Sequence, residues 1–203
     1  MRGRPTSIRA EVLLDAARDV FREDGHAATT AKIAKRAGVS EGILFYRYKS
    51  KEALLAAVID RETQPPEALR QVAKLAGQGT VSQNLALSVE SLLDAVSRAH
   101  PFLELAMTSP ASSKIHALVF AKARKPPPQR MVELLAGYLD EEVRLGRARA
   151  VDTTAAARAI LGGCIDFVRS GSAAGKQADR RAFARGLVDV LLFGVAASAP
   201  SIR

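Results

Sequence analysis

Apolar residues recur every three to four positions along most of this chain, the period of one face of an α-helix. The first stripe, Val12, Leu13, Ala16, Ala17, Val20 and Phe21, follows Thr6 and Ser7, either of which can cap a helix, and stops at Gly25. Its other face alternates Arg18 and Arg22 with Asp15, Asp19 and Glu23, the pattern of a solvated surface. A shorter stripe holds Ile33, Ala34 and Ala37 and ends at Gly38, where the chain needs the left-handed backbone that glycine adopts without cost. Either Ala28 or Thr29 caps it. Val39 is expected as an apolar plug beneath the turn, and Ser40 is expected to place its hydroxyl on the free amides opening a third helix, Glu41 to about Tyr48. Within that third helix Ile43, Leu44, Tyr48 and Phe45 are the residues available for packing. A fourth stripe, Leu54, Leu55, Val58 and Ile59, predicts a helix from Lys51 to Glu62 that ends before Pro65 and Pro66.

From Pro66 onward the same period continues between breakers. Residues 66–76 precede Gly77 and Gly79, residues 80–99 precede His100 and Pro101, and residues 101–109 precede Pro110. Residues 112–125 then run into Pro126, Pro127 and Pro128, residues 129–146 end at Gly146, and residues 153–172 and 179–197 follow. Strand-like alternation of useful length is absent, so the pattern predicts an all-α chain of about nine helices or slightly more. The last two helices are apolar around more of their circumference than a surface helix requires. One carries Ala155, Ala159, Leu161, Gly162, Gly163, Ile165 and Phe167, the other Phe183, Leu187, Val190, Leu191, Phe193 and Gly194. Such helices either meet a second subunit or form the deep core of a monomer.

The pair of helices around Gly38 reads as two short helices crossing at a steep angle, with Ala34 small enough to allow the contact. Glu41, Gly42, Tyr46 and Arg47 then lie where an inserted helix would meet DNA, and Lys49 and Lys51 follow at the backbone-contact end. An α-helix fits the major groove of B-DNA and can reach base edges there. The competing reading is an ordinary helical hairpin whose glycine is only a cap. The wording of the segment favours the first. LLDAARDVFREDG, IAKRAGVS and GILFYRYKSKEALL, spanning about Ile8 to Leu55, closely resemble the DNA-binding domain of the TetR family of transcriptional regulators. The family's usual Leu-Tyr, then Phe, then Ser-Lys-Glu stands here as Leu44, Phe45, Tyr48, Ser50, Lys51 and Glu52, so Tyr46 becomes the preferred hydroxyl donor.

That resemblance implies a three-helix helix-turn-helix domain over residues 1–52 and a larger helical dimerisation and ligand-binding domain over 53–203. The expected partners are a double-stranded DNA operator, a small-molecule effector, and a second copy joined through the last two helices as a four-helix bundle. Gly162, Gly163 and Gly194 would allow close approach there. The operator is expected to be a near-palindrome, with Arg47 or Tyr46 reading base edges, Ile43 touching a thymine methyl and Glu41 accepting from cytosine. Thr29, Thr30, Ser40, Tyr46, Lys49 and Lys51 would hold phosphates.

Charge adds little to this. The formal net charge is +9, but residues 1–52 hold 11 Lys and Arg against 7 Asp and Glu, so the excess is spread along the chain. The basic start is more specific: Arg2 and Arg4 in Met-Arg-Gly-Arg-Pro are similar to the core of a minor-groove arm, and otherwise make a solvated terminus. Cys164, the single cysteine, excludes an intrachain disulfide and suits a reducing cytoplasm. No signal peptide or membrane span is expected, since the most apolar stretch, Gly186 to Ala199, is short and contains Asp189. His26, His100 and His116 are not spaced as a metal cluster and Cys164 has no nearby His, so neither a catalytic site nor a cofactor is expected. A ligand pocket is expected from Phe102, Leu105, Met107, His116 and Phe120 together with Tyr138 and Phe167, although such residues line cores more often than pockets. Two other classes compete with the regulator: a small-molecule-binding helical protein that does not use its helix-turn-helix, and an enzyme housed in the larger part.

Overall fold

The computed structural model describes residues 10–121, 127–174 and 179–194, and among them every regular element is helical. The chain divides into two compact units. Met1–Gln64 and Arg98–Pro126 form the first, and Pro65–Ser97 with Pro127–Arg203 form the second.

In the first unit α1 (Ala10–Asp24) leads through a single 3-10 turn to α2 (Thr30–Arg36), α3 (Glu41–Tyr48) and α4 (Lys51–Glu62). Leu13, Ala17 and Val20 of α1, Ile33 and Ala34 of α2, Leu44 of α3, and Leu54 and Val58 of α4 are all buried. Their spacing of three to four residues is what lets four helices share one core. Val12, expected in the α1 stripe, is 45% exposed instead, because the buried stripe is already filled by Leu13, Ala16, Ala17 and Val20. Thr29, not Ala28, caps α2, its hydroxyl accepting from Lys32 N at 3.2 Å, while Ala28 is buried. Ser50 likewise caps α4, accepting from Ala53 N at 3.1 Å. Ser40 is extended as a cap residue should be, but its hydroxyl makes no capping bond, contrary to expectation. Thr6 and Ser7 lie outside the described residues.

The breaker expected at Pro101 does not break the chain. α6 runs unbroken from Val81 to Met107 with Pro101 inside it. A proline there removes a single amide donor, and Ala99, Phe102 and Leu105 around it are buried and continue the apolar stripe. Residues 98–107 of α6, with α7 (Ser112–Ala121), complete the first unit: Phe102, Leu105, Ile115 and Val119 join the core of α1–α4.

The second unit holds α5 (Glu67–Gln71), which tightens into a 3-10 turn over Val72–Leu75 rather than running on to Ala76, the beginning of α6, and α8 (Pro127–Arg144), α9 (Thr153–Ala174) and α10 (Arg180–Phe193). Leu69, Val89, Leu92, Leu135, Tyr138, Ile160, Cys164 and Val188 form its core. Phe167 stacks on Phe183 with ring centroids 4.3 Å apart. A Cβ on Gly163 would stand 3.4 Å from Leu187, so this glycine serves the packing of α9 on α10 within the chain. Gly194 stops α10 at φ +76, whereas Gly162 faces open space. One carboxylate is fully buried. Glu142 accepts from Gly77 N at 3.3 Å, and Arg147 Nε stands 3.2 Å from its other oxygen while Arg147 Nη2 donates to Gly79 O at 2.6 Å. The end of α8 is thereby tied to the turn before α6. Burial pushes the Tyr138 phenol, which neighbours Glu142 and Asn84, up to about 12.

Burial also pushes the Cys164 thiol up to about 12, so almost no thiolate exists at neutral pH. The native chain should therefore resist a thiol reagent at pH 8 and react when urea unfolds it. Rapid labelling of the folded chain would show that α9 opens far more readily than its packing implies. No helix among the described residues is long and apolar enough to cross a membrane.

Candidate nucleic-acid interface

α3 is held by one anchor. Leu44 alone is fully buried, Tyr48 is half-buried, and Glu41, Gly42, Ile43, Phe45, Tyr46 and Arg47 are all exposed. An eight-residue helix is too short to stand by its own hydrogen bonds, so its direction is set by Leu44 and by the Lys49 amide that closes its end on the Phe45 carbonyl. Gly38, at φ +69, makes the turn that reverses the chain between α2 and α3.

The side chains near this helix sort into those tied to the protein and those presented outward. Arg36 makes a two-pronged pair with Glu23, at 2.6 and 2.7 Å, and Lys32 meets Asp24 at 2.7 Å. Arg36 holds the Glu23 carboxyl below its ordinary value. These two cations of α2 thus lock α2 onto α1. Thr30 donates to Glu41, which joins the start of α2 to the start of α3. Lys51 donates to the backbone carbonyl of His26 at 2.8 Å. Tyr46, by contrast, is 82% exposed, with Lys49 Nζ 5.1 Å from its ring centre and donating to its carbonyl at 2.7 Å. Tyr48 is raised above its ordinary value by burial, opposed by the neighbouring Arg47. At Gly42 a Cβ would meet nothing nearer than Ser40 Oγ at 3.8 Å, so nothing in the chain itself demands a glycine there. A missing side chain on an outward helix does leave room for a close neighbour.

Lys49 carries the single positive φ of any non-glycine among the described residues, +62, at the end of α3. An ordinary residue pays about 1–2 kcal/mol for that conformation and glycine does not. Lys49→Gly should therefore raise stability, by about 0.5–1 kcal/mol in urea unfolding after glycine's larger entropy loss is discounted. DNA affinity should fall in the same variant if Lys49 meets phosphate.

Of the expected interface, Glu41, Gly42, Ile43, Tyr46, Arg47 and Lys49 share the outward side of α3 and its end, with Ser40 exposed before them. Thr29 is exposed but spends its hydroxyl as the α2 cap, and Thr30 and Lys51 are half-buried and tied as above. Arg2 and Arg4 lie outside the described residues. Phe45 was expected in the packing and is 42% exposed instead. It stands four residues after Glu41 and so shares that residue's face; a helical wheel centred on Leu44 alone reveals it.

The expected ligand pocket is not assembled within either unit. Phe102 and Leu105 are buried in the first unit's core, with Phe120 packed against it and His116 tilted onto Phe120 at 4.3 Å. Met107 is 78% exposed, and Tyr138 and Phe167 belong to the second unit's core. Apolar residues at helical spacing fill a core first. The first unit instead has a cavity of about 470 Å³ that takes in only Leu105 of that set.

The sequence pattern of the family described as "Bacterial regulatory proteins, tetR family" matches residues 13–58. Two relatives are the HTH-type transcriptional regulators BetI of Escherichia coli O17:K52:H18 and of Klebsiella pneumoniae. The first is 38% identical over 90 residues, covering 43% of this chain and 46% of its own length, and the second 41% over 80 residues, covering 38% and 41%. The chain thus spans less than half the length of the curated relatives it matches. Solved structures match along almost the whole chain. The regulator FadR from Bacillus subtilis in complex with stearoyl-CoA has a TM-score of 0.69 at 20% identity, covering 93% of this chain and 100% of its own. SmeT, the repressor of a Stenotrophomonas maltophilia efflux pump, has 0.65 at 21% identity, covering 92% and 89%. At such identities the likeness is one of fold.

Proposed function

We propose that this chain, which belongs to the tetR family of bacterial regulatory proteins through its residues 13–58, is a cytoplasmic, ligand-responsive DNA-binding repressor. It binds a near-palindromic operator as a homodimer and is released by a small-molecule effector. The observation that carries this reading is α3 itself, a helix that buries Leu44 and turns Glu41, Gly42, Ile43, Phe45, Tyr46 and Arg47 outward. A helix with that division has no use for its outer face inside the fold, and its width suits a major groove. Tyr46 and Arg47 read base edges, Ile43 and Phe45 meet apolar base surface, and Ser40, Thr30, Lys49 and Lys51 hold phosphates.

For assembly, Ala155, Ala159, Gly162 and Ile165 on α9 and Val190 and Phe193 on α10 are exposed, the last 77% so. Small and apolar residues on adjacent helices fit a second copy, and a two-fold pair sets recognition helices about 34 Å apart in successive grooves.

Selection of bound fragments from a random DNA pool, followed by sequencing, tests the reading. The expected product is two inverted half-sites. Tyr46→Ala and Arg47→Ala should alter the recovered sequence, whereas Lys51→Ala should weaken binding to all sequences and lower the salt slope by about one. No enrichment of any sequence would remove the proposal.

A further inference from the structure

The cavity of about 470 Å³ in the first unit opens beside the DNA-binding helices and lies within the size range of small-molecule sites. Phe21 of α1, Leu55 of α4, Leu105 of α6 and Ile115 of α7 give it an apolar floor, so four helices from distant parts of the chain converge there. Its mouth is polar: Lys51, Glu52, His26 and Thr108 line it. The charges at the mouth do not balance. Glu52 is already satisfied, with Lys114 Nζ 3.1 Å from its carboxylate and Ser50, its own backbone amide and Lys114 together holding it below its ordinary value. Lys51 has no carboxylate partner among the described residues; its ammonium donates to a backbone carbonyl, that of His26. Thr108 and His26 share a 2.9 Å hydrogen bond. The one charge at the mouth left without an opposite is therefore positive, and the floor below it is apolar.

We propose that this cavity binds a small anionic amphiphile, apolar body on Phe21, Leu55, Leu105 and Ile115 and carboxylate at Lys51, and that its occupancy lowers affinity for DNA. The second half rests on the proposed function: Lys51 is also a phosphate-holding residue there, and a carboxylate that neutralises it competes with the duplex for the same cation. By linkage, DNA must weaken the amphiphile's binding by the same factor.

The test uses the full chain and three probes of one shape, 4-phenylbutyrate, 4-phenylbutylamine and 4-phenyl-1-butanol, measured by titration calorimetry. The carboxylate should bind at least about tenfold tighter than the other two, and Lys51→Gln should remove that preference. Thr108→Trp, which fills the mouth, should weaken 4-phenylbutyrate at least about tenfold. Independently of any variant, the methyl signals of Leu55, Leu105 and Ile115 should shift on titration while those of Leu135 and Ile160 stay. Absence of binding, equal affinity for all three probes, or shifts confined to other methyls would each overturn the site. With the selected operator in hand, saturating 4-phenylbutyrate should lower DNA affinity at least about fivefold in the unaltered chain and not in Thr108→Trp. Unchanged DNA affinity on occupancy would overturn the coupling. If the pool yields no operator, the proposed function fails while the calorimetric and methyl results still decide the cavity.

Discussion

Cutting Leu44 back to alanine should cost about 2–5 kcal/mol of stability and abolish sequence-selective DNA binding together. Leu44 is fully buried in the core that α1, α2 and α4 share and is the single buried residue of α3. With its side chain gone, an eight-residue helix loses what holds it in place and frays. Tyr46→Ala makes the contrast. Tyr46 is almost wholly exposed, so its truncation should stay within about 0.5 kcal/mol in urea unfolding while the binding-site preference changes. Both variants should be compared at one protein concentration, because the proposed dimerisation would make apparent stability depend on it. A Leu44→Ala chain within about 1 kcal/mol of the parent would mean that α3 is anchored by something other than its core residue.

Removing the Arg147 side chain should be as damaging, by about 3 kcal/mol or more, through a different cause. Glu142 is fully buried, and Arg147→Ala leaves its charge with the Gly77 amide as its remaining hydrogen-bond donor. An uncompensated buried carboxylate is expensive, and the loss also frees the turn at Gly79 that Arg147 holds. The double variant Glu142→Gln, Arg147→Ala should recover much of the stability, because no charge is then stranded. A double-mutant cycle by urea unfolding measures this. Additive losses in the double variant would show that Arg147 acts through its contacts to the turn and not through the charge of Glu142.

The two halves of the molecule differ in how far their residue order could be read. Around α3 most elements were legible. Gly38 marked the turn, Leu44 stood among the four residues offered for packing, and the stripe of Leu54, Leu55, Val58 and Ile59 marked α4, and each of these signals acts within one or two turns of helix. Thr29 and Ala28 both stand near the start of α2, and the Thr29 hydroxyl bond to Lys32 N together with the burial of Ala28 decides between them. Ser40 departs from its expected role for a related reason: a serine can cap only if its hydroxyl turns inward, and no local signal states the rotamer. Most of the expected ligand-pocket residues are divided between two cores. Phe102, Tyr138 and Phe167 are large and apolar, a description that suits a core as well as a cavity, and they went to cores.

By itself, the order of residues determined that the chain is helical, where α3 and α4 begin and end, and that a small helix pair presents polar and cationic residues after Gly38. Periodicity, caps and a left-handed glycine are short-range devices, each worth about 1 kcal/mol, and they agree with one another there. The tertiary structure alone decided that α6 passes through Pro101, that Gly163 seats α10 rather than a partner, and that Lys51 and Leu105 share one cavity. Those outcomes depend on residues far apart in the chain, where several buried side chains together outweigh a local preference.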